Sequence, residues 1–393
     1  MSSQVSKHKA LRKRLFPVPM RLDRREVSGS LGDLGTFIPL LVGMSLTNGL
    51  NFTSALFFAG LFNIVTGFAF SIPMAVQPMK AIAAVAISEN LRVEQILAAG
   101  IWTSTIILFL GITGMITAVD RVIPKPVVRG LQLGLGLQLI EIGTRLVRDT
   151  HTLWGFDSVL VGVAGFALIL ALASSKRVPS ALVLFVIGLV FAAFAQPHIL
   201  SSLRLGIHFP HWVNLSWEDF RSSFFRAALP QIPLTTLNSV IAVCALSADL
   251  FPDRPARPRS VAVSVGMMNL LGGWFGAMPM CHGAGGLAGQ YRFGARTNAS
   301  ILFLGTVKLL LAIFFGSSLL ALLHVYPKSV LGVLLGISGL ELALVARDQT
   351  GRGAATVMLC TAAVILALGS TATGFALGWI LALIIGWKKN DAD

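Results

Sequence analysis

The chain has 393 residues, 55% of them hydrophobic and only 12% charged, with a formal net charge of +14. A soluble domain carries about a quarter charged residues, so this composition and the mean hydropathy of +0.78 exclude an ordinary water-soluble fold. The positive charge is spread through short breaks between apolar runs, which reads as a membrane topology signal and excludes a nucleic-acid-binding surface.

Residues 1–25 form a basic tail with eight Lys/Arg (Lys7, Lys9, Arg12, Lys13, Arg14, Arg21, Arg24 and Arg25). No apolar core follows them, so a cleaved secretory signal is not expected. An organellar transit peptide also fits an Arg-rich, acid-poor tail, but a cytoplasmic anchor accounts for the same residues. Apolar runs then predict spans at 28–47, 54–72, 75–88, 93–117, 126–144, 157–173 and 179–196, a first unit over 26–196. Residues 197–226, with Pro197, His208, Pro210, His211 and Trp212, read as an interfacial linker. A second unit over 227–387 carries spans at 227–248, 260–277, 280–291, 298–322, 328–345, 354–369 and 371–387, and 388–393 form a short C-terminal tail. The expected fold is therefore an all-α polytopic membrane protein with 14 spans and both termini cytoplasmic. In that orientation the inner loops and C-terminal tail hold 14 Lys/Arg besides the tail's eight, and the outer loops hold seven: Arg92, Arg145, Arg148, Arg204, Arg221, Arg226 and Lys328. This bias matches the positive-inside rule in a cell membrane. Cys244, Cys281 and Cys360 have neither disulfide-framework nor metal-ligand spacing, so neither a metal nor a cofactor is expected.

The two units resemble each other. PKPVVRGLQLG (124–134), Glu141 and LVRD (146–149) match PKSVLGVLLG (327–336), Glu341 and LVARD (344–348). VQPMKAIAA (76–84) matches AMPMCHGAG (277–285), with the Pro-Met pairs 201 residues apart. Seven spans per unit is odd, so the copies enter the membrane from opposite sides, an inverted repeat that places substrate near the midplane.

The third and tenth spans carry the candidate site. Each covers about 14 residues, about 21 Å as a helix, too short for a hydrocarbon core of about 30 Å, and each begins at prolines (Pro73, Pro78; Pro279). Each crossing therefore pairs an extended segment with a half-helix, and the two half-helix N-termini face each other with unpaired N–H groups and partial positive charge. Lys80 adds a formal charge, which suits a dianion; its competing role is snorkelling to the interface. Gln77 lies one turn before Lys80, and GAGGLAG (283–289) after His282 allows close backbone approach. The amides of Met79 and Gly283 and the side chain of Cys281 complete this set. His282 is a substrate donor, a proton carrier or a packing residue. On the first and eighth spans, Asp33 and Thr36, then Gln231, Thr235 and Asn238, are further candidates; Thr235 and Asn238 share a face if that helix is regular. Asp33, His282 and Glu341 are coupling candidates. The GxxxG pairs Gly130/Gly134 and Gly332/Gly336 read as packing surfaces. No paired carboxylates, G-x-S-x-G elbow, HExxH or phosphate loop argues for an enzyme.

GDLGTFIPL, VQPMKAIAAVAIS, LPQIPLTTLNSVIAVCALSADLF and MCHGAGGLAGQYRFGAR closely resemble the molybdate transporter family, a branch of the sulfate permease superfamily. The resemblance runs from about Glu26 to Trp387. It implies seven plus seven helices with the anion between the third and tenth, and a core of spans 1–4 and 8–11 moving against a gate of spans 5–7 and 12–14. Many sulfate permease relatives end in a STAS domain; this chain stops at Asp393, and the molybdate branch resembles it in that. A homodimer is implied by the superfamily alone. The implied function is secondary transport of a tetrahedral oxyanion, molybdate first, with sulfate or tungstate carriage and an anion channel as alternatives.

Overall fold

The computed structural model describes residues 22–175, 179–198 and 205–386. The basic tail up to Arg21, Arg204 of the predicted linker, Trp387 and the C-terminal tail lie outside the described residues.

The chain begins with helix α1 (Arg24–Asn48). Asp23 caps it, accepting from the N–H groups of Arg25 and Glu26 at 2.8 and 2.9 Å, the expected use of a short carboxylate at a helix start. α2 (Phe52–Phe70) follows, capped by Asn51. The predicted third span is a strand β1 (Val76–Pro78) and a helix α3 (Lys80–Glu89). Then come α4 (Val93–Thr113), α5 (Ile116–Val122), α6 (Lys125–Arg148), α7 (Val159–Leu172) and α8 (Ser180–Ala195). The second unit has α9 (Trp217–Leu250) and α10 (Pro258–Gly272). The predicted tenth span is strand β2 (Met280–His282) and helix α11 (Ala284–Arg292). α12 (Ala299–His324), α13 (Lys328–Asp348), α14 (Arg352–Leu368) and α15 (Thr371–Ile384) close the chain.

Six of these helices have a stretch long and apolar enough to cross a membrane: α1, α2, α4, α9, α12 and α13. Four shorter apolar helices, α7, α8, α14 and α15, accompany them. Large apolar side chains point outward, among them Phe109, Leu170, Phe194, Leu368 and Leu383, a surface suited to lipid and not to water. The protein is a mostly helical, polytopic membrane protein. The start of α9 differs from expectation: it lies at Trp217, inside the predicted linker, because Ser216 and Asp219 form a reciprocal capping box. The preceding stretch lies across neighbouring helices, with Trp212 stacked on Trp274 at 5.5 Å.

Small residues let the helices meet backbone to backbone. Gly60 of α2 faces Gly305 of α12. On α6 and α13, Gly136 faces Gly339 and Gly143 faces Gly332, so a Cβ on any of these four would strike the partner's carbonyl oxygen. The contact therefore repeats every seven residues, not every four. Gly130 and Gly134 do pack closely, but against Thr361 and Ile365 of α14.

Prolines keep the chain extended before α3 and α11, and the two extended segments pair. β1 and β2 run antiparallel, with Val76 opposite His282, Gln77 opposite Cys281 and Pro78 opposite Met280. Two asparagines anchor the strands to flanking helices. Asn63 of α2 accepts from the Val76 N–H at 3.0 Å. Asn269 of α10 accepts from the Met280 N–H at 2.6 Å and donates to the Met280 carbonyl at 2.6 Å. Asn269→Ala strips both bonds from a buried strand, and an orphaned buried group costs about 1–3 kcal/mol. The expected result is a clear drop in melting temperature of the purified protein in detergent; an unchanged melting curve would show that the strand needs no such anchor.

Candidate functional site

The half-helices begin where the strands end. Met79 is the N-cap of α3 and Gly283 that of α11, both extended. The start of each helix has N–H groups without intrahelical acceptors, and the strand pair brings both starts to one place. A small cavity lies there, lined by Gln77, Pro78, Lys80, Gln231, Leu234, Asn238, Ser239, Cys281 and Gly283. Its volume of about 10 Å³ holds about one water molecule.

Lys80 is half-buried at this cavity and, among the described residues, has no carboxylate within ion-pair distance. Cys281 is buried and accepts a hydrogen bond from the Ser239 hydroxyl at 3.1 Å. Gln77 is buried; its amide donates to the Asp33 carboxylate at 2.7 Å, and its own oxygen has no partner. Asp33 is also 3.8 Å from the buried ammonium of Lys308 on α12, which lies 3.5 Å over the Phe37 ring. A buried network therefore runs from Lys308 through Asp33 to Gln77 at the cavity wall. Gly283 is held without a side chain by that same amide, since a Cβ there would overlap the Gln77 oxygen.

Several expected ligands have other partners. The Met79 N–H donates to the Pro279 carbonyl at 2.8 Å, closing the strand pair, and so is not free for an anion in this conformation. Gln231 reaches the α3 N-terminus with its oxygen, accepting from the Ala81 and Ile82 N–H groups at 2.9 and 3.2 Å. Its amide donates to the Thr235 hydroxyl at 2.8 Å, so Thr235 orients Gln231 and does not line the cavity. Thr235 and Asn238 do not act as one face because Thr235–Ala242 is wound as a π-helix, which shifts the angular spacing of regular helix. Asn238 alone reaches the cavity.

His282 is not at the cavity. Alternate residues of a strand point to opposite sides, so His282 faces away from Cys281. Its two ring nitrogens meet the Ser264 hydroxyl at 2.9 Å and the Ala75 carbonyl at 3.3 Å, and its ring packs edge-on to Phe70. The packing role, open in the sequence, accounts for these contacts. Thr36 is half-buried on α1 and does not line the cavity. Glu341 is exposed on α13, outside the cavity but within coulombic reach of Lys80. Its counterpart Glu141 pairs with Arg145 on its own helix. Residues not foreseen are Ser239, which holds Cys281; Asn63 and Asn269, which hold the strands; and Lys308, which holds Asp33. A lysine inside an apolar run is the one such signal visible in sequence.

Comparison with known proteins is consistent across sequence and fold. The family described as "Molybdate transporter of MFS superfamily" matches residues 25–139 and 223–342. The chain is 44% identical to "Molybdate transporter 2" of Arabidopsis thaliana over 94% of its length and 88% of the relative's. It is 36% identical to "Molybdate transporter 1" of Chlamydomonas reinhardtii, covering 90% of each chain. Among solved structures, SLC26A9 superimposes with a TM-score of 0.69 over 98% of this chain and 69% of that one, at 14% identity. The transmembrane domain of the cyanobacterial bicarbonate transporter BicA gives 0.66 over 93% of this chain and 98% of that one, also at 14% identity. The fold is thus that of these SLC26-like transporters, although the family's description names another superfamily.

Proposed function

This chain belongs to the molybdate transporter family, and from that membership we propose that it is a secondary active carrier of a tetrahedral oxyanion, molybdate, held between the N-termini of α3 and α11. The observation that carries the reading is the meeting of two half-helix starts and one unpaired Lys80 at a single cavity. Two helix N-termini contribute about one positive charge between them and Lys80 a second, a balance for a dianion. The cavity of about 10 Å³ is too small for a four-oxygen ion, so the site must open and close around its cargo. That favours alternating access over a continuous channel.

The carrier is organised as seven plus seven spans in inverted repeat, across a cell membrane with both termini cytoplasmic. In each unit an asparagine of the helix before the strand, Asn63 or Asn269, accepts from the N–H of the strand's first residue, Val76 or Met280, which supports the repeat. The names of the relatives support molybdate over sulfate. Radiolabelled molybdate uptake by proteoliposomes should be saturable, inhibited by tungstate and little affected by equimolar sulfate. Faster transport of sulfate than of molybdate would assign the protein to sulfate.

Import of a dianion against a negative interior costs about 4.6 kcal/mol per 100 mV, so cations must enter with it or an anion must leave. Protons are the proposed partner. Asp33 is the favoured carrier because Gln77 links it to the cavity, whereas His282 faces away and Glu341 is exposed. Uptake should rise as external pH falls and collapse with a protonophore, and Asp33→Asn should remove the pH dependence. Accumulation driven by sodium alone, without a proton gradient or counter-anion, would overturn proton coupling.

A further inference from the structure

A second cavity adjoins the first. It encloses about 210 Å³ between the start of α6, the middle of α9 and the tail of α13, and Asn238 lines both spaces. Lys125, Arg129 and Gln132 of α6 supply its polar wall. Among the described residues Lys125 has no ion pair within 4 Å. Arg129 turns its fork onto Asp348, with contacts of 2.5 to 3.0 Å, and its remaining arm donates to the buried Gln132 at 3.0 Å. The Asp348 side chain is 45% exposed, so it can swing out without leaving a buried charge. A planar guanidinium fork binds tetrahedral oxyanions as well as carboxylates.

We infer that this cavity is a second oxyanion subsite, a vestibule at which the anion takes the Arg129 fork from Asp348 before or after occupying the Lys80 site. The inference rests on the oxyanion reading of the central site. Two cations with one carboxylate leave a net positive wall, and the cavity is some twenty times roomier than the closed centre. In the proposed topology this wall faces the cytoplasm, where the cargo must be released or loaded. Asp348 then acts as a resident competitor that keeps the vestibule from holding the anion too long.

Equilibrium binding of radiolabelled molybdate to the purified full chain in lipid nanodiscs tests this. Wild type should bind two equivalents per chain, Lys80→Ala one and Arg129→Gln one. Asp348→Asn should keep two and tighten the weaker about tenfold, the size of an ordinary coupling between competing ligands. A single equivalent in wild type, two in Arg129→Gln, or an unchanged weaker constant in Asp348→Asn would overturn the vestibule while leaving the central site standing. Binding of none by wild type would remove the oxyanion reading and the vestibule with it.

Discussion

Lys80→Ala is expected to lower molybdate uptake about a hundredfold, the effect of removing one partner of a desolvated charge pair, while membrane insertion and yield stay normal. Lys80 lines the cavity and, among the described residues, forms no ion pair within 4 Å, so its ammonium is available to cargo. Removing it leaves only the partial charges of the two helix starts, which cannot balance a dianion in a low-dielectric interior. Lys80→Arg should recover part of the loss, since charge is restored, but a planar fork does not fit a space of about 10 Å³. The pair separates charge from shape. Wild-type uptake in a normally expressed Lys80→Ala protein would mean that Lys80 only snorkels.

Gly283→Val is expected to abolish transport for a different reason. The backbone at Gly283 has φ −96° and ψ 130°, a region valine adopts readily, so no backbone strain arises. The obstacle is Gln77, whose amide oxygen occupies the place of the missing Cβ. Any side chain there pushes Gln77 away from Asp33 and breaks their 2.7 Å hydrogen bond. Overpacking of this kind costs about 1–3 kcal/mol, so the melting temperature should fall as well. Gly283→Ala combined with Gln77→Ala should restore the melting temperature without restoring uptake, because space returns while the link to Asp33 does not. Gly285, equally suspect in the sequence, has nothing within 4 Å of its Cβ position. Gly285→Ala should therefore leave the melting temperature unchanged. Recovery of uptake by the double variant would show that Gln77 merely fills space.

The two half-helices were legible because their signals are covalent and local: prolines fix extended backbone, and a run too short to span announces a broken helix. Lys80 and Gln77 were legible by position on those segments. What the sequence hid is which way side chains face and who already holds them. His282 is adjacent to Cys281, and strand alternation, visible only once β2 is seen to pair with β1, sends it to Ser264 and Ala75. Thr235 and Asn238 read as one face on regular helical spacing, but the π-helical winding of Thr235–Ala242 undoes that spacing. Gln231 lines the cavity, yet it holds the α3 start through its oxygen, a partnership between residues 150 apart that no local pattern encodes. Lys308 lies within an apolar run, and its place beside Asp33 shows only in the fold.

The most direct measurement of the central claim is the position of the anion itself. Diffraction from crystals grown with molybdate, recorded at the molybdenum absorption edge, should place an anomalous peak whose oxygens lie about 3 Å from the Lys80 Nζ atom and from the first-turn N–H groups of α11, with the cavity between Gln77 and Cys281 widened to admit it. A peak only elsewhere, with Lys80 and the two helix starts arranged as they are now and no anion between them, would contradict the account.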